Sequence, residues 1–172
     1  EDLIMFASSK DGSYKTLAEY VKDMKEGQKE IYYACGESVA KIDLLPQVEA
    51  VKDKGYEILY CTEYVDEFTI MTLRKYKDFE FKNVCNDSID LDTKEEKEEL
   101  AKKNDNAKDM FKTMAEAVSE VKSIRFTNKL KNHPVCLSSD GEISVEMEKA
   151  MNAMPFDNDV KASKVLEINE NH

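Results

Sequence analysis

Three apolar runs constrain this chain most. Ile31-Tyr32-Tyr33-Ala34 with its flanking Glu30, Tyr56–Cys61 and Phe81–Cys85 each lack the in-out alternation of a half-exposed strand. Runs of that kind are buried on both faces, which is the condition of strands in a parallel sheet. The segments between them read as helices. After Gly36 comes a helical stretch broken at Pro46, and Pro46 suits a first helical turn because its missing N–H would be unpaired there. Val48 and Val51 face inward, and Gly55 closes that helix. Val65 to Tyr76 is amphipathic, with Phe68, Met71 and Leu73 as its expected core face. The order is βαβαβ. It predicts a small three-stranded, mainly parallel sheet covered by helices, with right-handed crossovers.

A helix precedes this unit. Thr16-Leu-Ala-Glu19 has the form of a capping box, in which hydroxyl and carboxylate satisfy amides at a helix start. Leu17, Tyr20, Val21 and Met24 then recur at helical spacing, and Gly27 lies just past the end.

The pattern changes at Thr93. Residues 93–122 read as a long connector helix between two domains, 1–92 and 93–172. Its first half is almost wholly charged, with pairs such as Glu98 and Lys102 at helical spacing. Its second half carries the stripe Leu100, Ala107, Phe111, Met114, Val118 and Val121, so it lies on a core only there. Asn104-Asp-Asn is a candidate interruption. Ser123–Asn128, Val135–Ser138 and Val165–Ile168 then read as strands, with turns at Asn132-His-Pro134 and Ser139-Asp-Gly141. Glu142–Met154 reads as an amphipathic helix. The second domain is therefore α+β, a short sheet with one such helix.

The net charge of −11 on 172 residues argues against nonspecific nucleic-acid or anionic-membrane binding. No apolar run approaches the roughly 20 residues that span a bilayer. The four cysteines are far apart and there are only two histidines, so no zinc-ligand spacing exists. Buried thiols in a reducing cytoplasm are the expectation. The opening Glu1-Asp-Leu-Ile4, without an initiator methionine, suggests a fragment of something longer.

Candidate chemistry is sparse. Cys35-Gly36-Glu37-Ser38 follows a strand and precedes a helix, as phosphate loops do. It has one glycine and puts a carboxylate where an anion would sit, so a hinge is expected rather than a nucleotide site. Cys35 or Cys136 with His133 is the only nucleophile–base pair to consider, and a thiol on an apolar strand is a poor nucleophile. Asp157-Asn158-Asp159 lacks the glycine and glutamate of a calcium loop. No catalytic, cofactor or metal residue is assigned. The informative feature is Ile143, Met147, Met151 and Met154, spaced four, four and three, followed by Phe156. Such a stripe is either core or a flexible thioether surface that accepts varied apolar partners.

Longer motifs carry a resemblance. Thr16-Leu-x-x-Tyr20-Val21-x-x-Met24-Lys25-x-x-Gln28-Lys29-x-Ile31-Tyr32-Tyr33-x-x-Gly36-Glu37-Ser38 resembles a middle-segment signature of the heat-shock protein 90 chaperones. Lys54-Gly55-Tyr56-Glu57-Ile58-Leu59, Val65-Asp66-Glu67-Phe68, Ser123-Ile124-Arg125-Phe126-Thr127-Asn128-Lys129-Leu130 and Leu166-Glu167-Ile168-Asn169-x-Asn171-His172 match in order. The bacterial cytosolic branch is the nearest in character.

The resemblance implies that 1–92 is the α/β end of the family's middle domain and 93–172 the first part of its C-terminal domain. It implies a parent that is a homodimeric ATPase using ATP and Mg²⁺ and binding unfolded or partly folded clients. The piece itself has no ATP motif, is expected to be monomeric, and meets the parent's N-terminal ATPase domain as a partner. Ile143, Met147, Met151, Met154 and Phe156 occupy the place of a client-contacting amphipathic element. Eukaryotic members carry a Trp near the start of that element, and this chain has no Trp. Two rival readings are a cysteine-dependent hydrolase and a purely structural spacer.

Overall fold

The computed structural model describes residues 3–86, 89, 91–155 and 159–172. The chain forms two compact units, Glu1–Val84 and Cys85–His172.

In the first unit the elements run β1 (Met5–Ser8), β2 (Tyr14–Thr16), α1 (Leu17–Asp23), β3 (Glu30–Cys35), α2 (Val39–Asp43), α3 (Pro46–Asp53), β4 (Leu59–Cys61), α4 (Tyr64–Leu73), β5 (Lys75–Tyr76) and β6 (Phe79–Asn83). Thr16 caps α1 with Glu19 completing the box, and Pro46 begins α3. Both features are local, which is why sequence reveals them.

The sheet has six strands in the order β2-β1-β4-β3-β6-β5. β4, β3 and β6 are the expected parallel trio. Three short antiparallel strands extend it: the β1–β2 hairpin alongside β4, and β5 alongside β6. The sequence reading of three strands missed these because two to four residues carry too little pattern to register. β5 also takes residues assigned to a longer α4. That helix stops at Leu73, where Arg74 adopts φ 60° and the chain turns back. The inward face of α4 is Glu67 and Ile70, while Met71 is exposed and Phe68 half-buried.

α1 and α4 share one core with the sheet. Leu17, Tyr20 and Ile70 pack with Phe6, Ile31, Tyr33, Cys35, Leu59 and Cys61. Alternation sends Tyr60 to the opposite face, where its hydroxyl donates to Asp43 of α2 at 2.5 Å. Tyr20 is the polar centre of the buried side. Its hydroxyl donates to the Glu57 carbonyl at 2.7 Å and accepts from the Tyr32 amide and the Gln28 side chain, each at 3.1 Å. Burial pushes this phenol up to about 12.

The second unit contains α5 (Lys94–Asn106), α6 (Lys108–Ala117), β7 (Ser123–Thr127), β8 (Val135–Ser139), α7 (Val145–Ala153) and β9 (Lys164–Asn169). The expected long helix is two helices that meet at Ala107. Both rest on β7 through specific contacts. Phe111 of α6 meets the Phe126 ring edge-on at 4.8 Å. Asn104 of α5 accepts from the Phe126 amide at 2.8 Å and donates to its carbonyl at 3.2 Å. That side chain gives an edge strand the pairing a neighbouring strand would supply.

The sheet order is β7-β9-β8. The last strand lies in the middle, parallel to β7 and antiparallel to β8. Its alternation buries Val165, Glu167 and Asn169 rather than Leu166 and Ile168. Glu167 is fully buried and is met by both neighbours, with Arg125 and Cys136 as its register partners.

Candidate functional site

α7 has nine residues, too few to hold a helix by propensity alone. Three devices fix it. Ser144 is extended at φ −77°, ψ 163°, and its hydroxyl accepts from the Met147 amide at 2.9 Å. Glu148 takes the Lys164 ammonium at 2.8 Å and the Ala162 amide at 2.7 Å. Asn152 accepts from the Val160 amide at 3.2 Å and donates to its carbonyl at 2.9 Å. Lys164 and the Ala162 amide together hold the Glu148 carboxyl below its usual range, the lysine contributing most.

These bonds set which methionine residues meet water. Met147 is 3% exposed and Ala150 is buried. Met151 is half-buried. Met154, the C-cap, is 40% exposed. Ile143 is half-buried but precedes the N-cap, so it lies outside the helix that sequence began at Glu142. Of the two readings of the stripe, core holds for Met147, which faces the interior of its own unit because the Ser144 cap and the Glu148 tether turn that face inward. Phe156 lies outside the described residues. Spacing alone could not rank the methionines, since every member of a stripe shares one period. The tethers Glu148 and Asn152 also escaped sequence reading, because their partners lie beyond the end of the helix.

Beneath the sheet surface, Glu167 gathers charge. Arg125 reaches it at 2.7 Å, Lys129 at 3.4 Å, and Ser138 donates to its other oxygen. Burial alone would raise this carboxyl. The Lys129 charge, the Ser138 hydroxyl and Arg125 outweigh it and hold the group below the usual range. Cys136 sits against the same carboxylate at 3.7 Å. Burial first, and then the Glu167 charge, push its thiol up to about 12. A thiol kept protonated in this way is the opposite of an activated nucleophile.

Gly36 is explained by packing. A Cβ there would stand 2.8 Å from Ile42 Cγ1 of α2. Its amide donates to the Cys61 carbonyl at 3.1 Å, so the group a phosphate would need is already engaged. Glu37 pairs with Lys41, and Ser38 caps α2, which has only five residues. No helix among the described residues is long and apolar enough to cross a membrane.

The helix thus presents part of an apolar face and is held down along one flank by Glu148 and Asn152. The comparisons with known proteins place the whole chain in a family. The family model described as Hsp90 protein matches residues 1–172. Over its whole length the chain is 55% identical to the Chaperone protein HtpG of Clostridium acetobutylicum and 52% identical to that of Clostridium botulinum strain Langeland. It is 49% identical to that of Bacillus velezensis. It spans 27–28% of the length of these relatives. The chain belongs to the Hsp90 family of chaperones, and its resemblance is to the bacterial HtpG type.

Proposed function

We propose that this chain supplies client-contact and interdomain coupling surfaces of an ATP-dependent chaperone, without carrying the ATP site. The observation that carries this reading is the graded exposure along α7, from Met147 at 3% to Met154 at 40%. Met147 anchors the helix. Ile143, Met151 and Met154 are the thioether and aliphatic groups that remain to meet an unfolded or partly folded segment. Methionine suits that task because its unbranched, polarizable side chain repacks against varied partners. On this reading 1–92 is the end of a middle domain and 93–172 the start of a C-terminal domain. ATP and Mg²⁺ are then bound by the N-terminal ATPase domain of a homodimeric, cytoplasmic parent, and the piece performs no catalysis.

The experiment is a titration of a permanently unfolded model protein against the chain and its double variant Met151→Ser, Met154→Ser. Weaker binding at unchanged thermal midpoint supports the reading. Equal binding identifies the helix as a structural spacer. A fall in midpoint as large as that of Met147→Ser makes the two residues core.

A further inference from the structure

The Hsp90 reading of the chain leaves one buried cluster unused. Cys35 ends β3 and Cys61 ends β4, and the two are register partners in the parallel pair. Neighbouring strands lie about 4.7–4.9 Å apart, and partners on adjacent strands point to one face. That separation falls inside the roughly 4.4–6.8 Å that a disulfide spans between Cα atoms. Both side chains join the same core cluster, which confirms that they share a face. The Gly36 amide, bonded to the Cys61 carbonyl at 3.1 Å, ties the two strand ends together. Tyr33 stands on this face as well, in the same core cluster, and its phenol is pushed well up, by burial first and then by Glu67.

We propose that Cys35 and Cys61 form a dithiol modification site that closes to an intramolecular disulfide when hydrogen peroxide reaches the strand ends. The thiols are 7% and 2% exposed, yet each is the last residue of its strand. The next residues, Gly36 and Thr62, are half-buried, and Glu37 and Glu63 beyond them are exposed. Entry therefore needs only a small opening of two adjoining loops. Once the strand ends open, one sulfur attacks the peroxide and gives up its thiol proton. An S–O bond forms, the O–O bond breaks, and the departing hydroxide takes a proton to become water. The second sulfur attacks the sulfenic sulfur. The S–S bond forms, the S–O bond breaks, and the second hydroxide leaves as water. Two sulfurs each lose one electron and one peroxide becomes two waters. Cys136 is the internal control, because its thiol is held protonated against a carboxylate.

The test treats the folded chain with hydrogen peroxide, denatures it in an alkylating agent and maps the peptides by mass spectrometry. The expected result is a linked peptide pair holding Cys35 and Cys61, lighter by two hydrogens and reversed by dithiothreitol, with Cys136 still alkylated. Both thiols alkylated, separate sulfinic acids at either position, a link from Cys35 or Cys61 to Cys85, or a disulfide between chains would each overturn the proposal. Cys61→Ala must abolish the intramolecular link at Cys35. A link that persists in that variant also overturns it.

Discussion

The two sheets of this chain are held by different forces. In the first unit, three parallel strands are sandwiched between helices, and the residues that decide the core are Phe6, Leu17, Ile31, Leu59 and Ile70. Its main polar hub, the Tyr20 hydroxyl, is neutral and bonded three ways. In the second unit the central strand carries a fully buried carboxylate, Glu167, clamped by two cations and a hydroxyl. Apolar burial is forgiving of which neighbour supplies the surface. A buried ion pair is not, because removing one partner leaves the other uncompensated. The first unit should therefore lose stability gradually with each truncation, and the second abruptly at one position.

The largest expected effect tests that directly. Glu167→Ala leaves Arg125 and Lys129 facing an empty site and should cost about 3–5 kcal/mol, read as unfolding of 85–172 in urea. A loss below about 1 kcal/mol would erase the contrast. Acid should act on the same residue. The folded carboxyl lies below its unfolded value, so its stabilisation is present above the unfolded value and is lost as pH falls through the folded one. Lys15 of the first unit has the opposite sign. Burial pulls it down, but the carboxylates of Asp23 and Glu57 outweigh that and raise it, so its contribution is present below the unfolded lysine value and fades as pH rises through the folded one. Hydrogen exchange against pH should show 85–172 protected less in acid, and the amides around Lys15 protected less in strong alkali.

Smaller effects sharpen the comparison. Tyr20→Phe strands the Tyr32 amide and should cost about 1–3 kcal/mol in the first unit, with little change in the second. Asn104→Ala removes the clamp on the β7 edge. A loss of about 1 kcal/mol and faster exchange of the Phe126 amide are expected. Met154→Ser should change stability by no more than about 0.5 kcal/mol, because the side chain already meets solvent.

Local signals were legible without a structure. Thr16 and Glu19 form a box because they are three residues apart, and Pro46 opens a helix because its ring allows little else. The parallel trio followed from apolar-rich runs joined by helical segments, and the family motifs ran the length of the chain in order. What depended on partners distant in sequence was not legible. Val165–Ile168 reads as a strand, but apolar pattern would turn Leu166 and Ile168 inward. Only the arrival of Lys129, Arg125 and Ser138 around β9 makes Glu167 the buried member.

The sequence by itself determined the parallel trio, the capped start of α1, the family and the presence of a methionine stripe, because each rests on spacing along the chain. The tertiary structure decided that β9 lies between β7 and β8, that Asn104 completes an edge strand, that Cys35 and Cys61 stand side by side, and that Met147 is enclosed while Met154 is not. These follow from which surfaces come together once the elements pack, and a one-dimensional period carries no information about what lies opposite it.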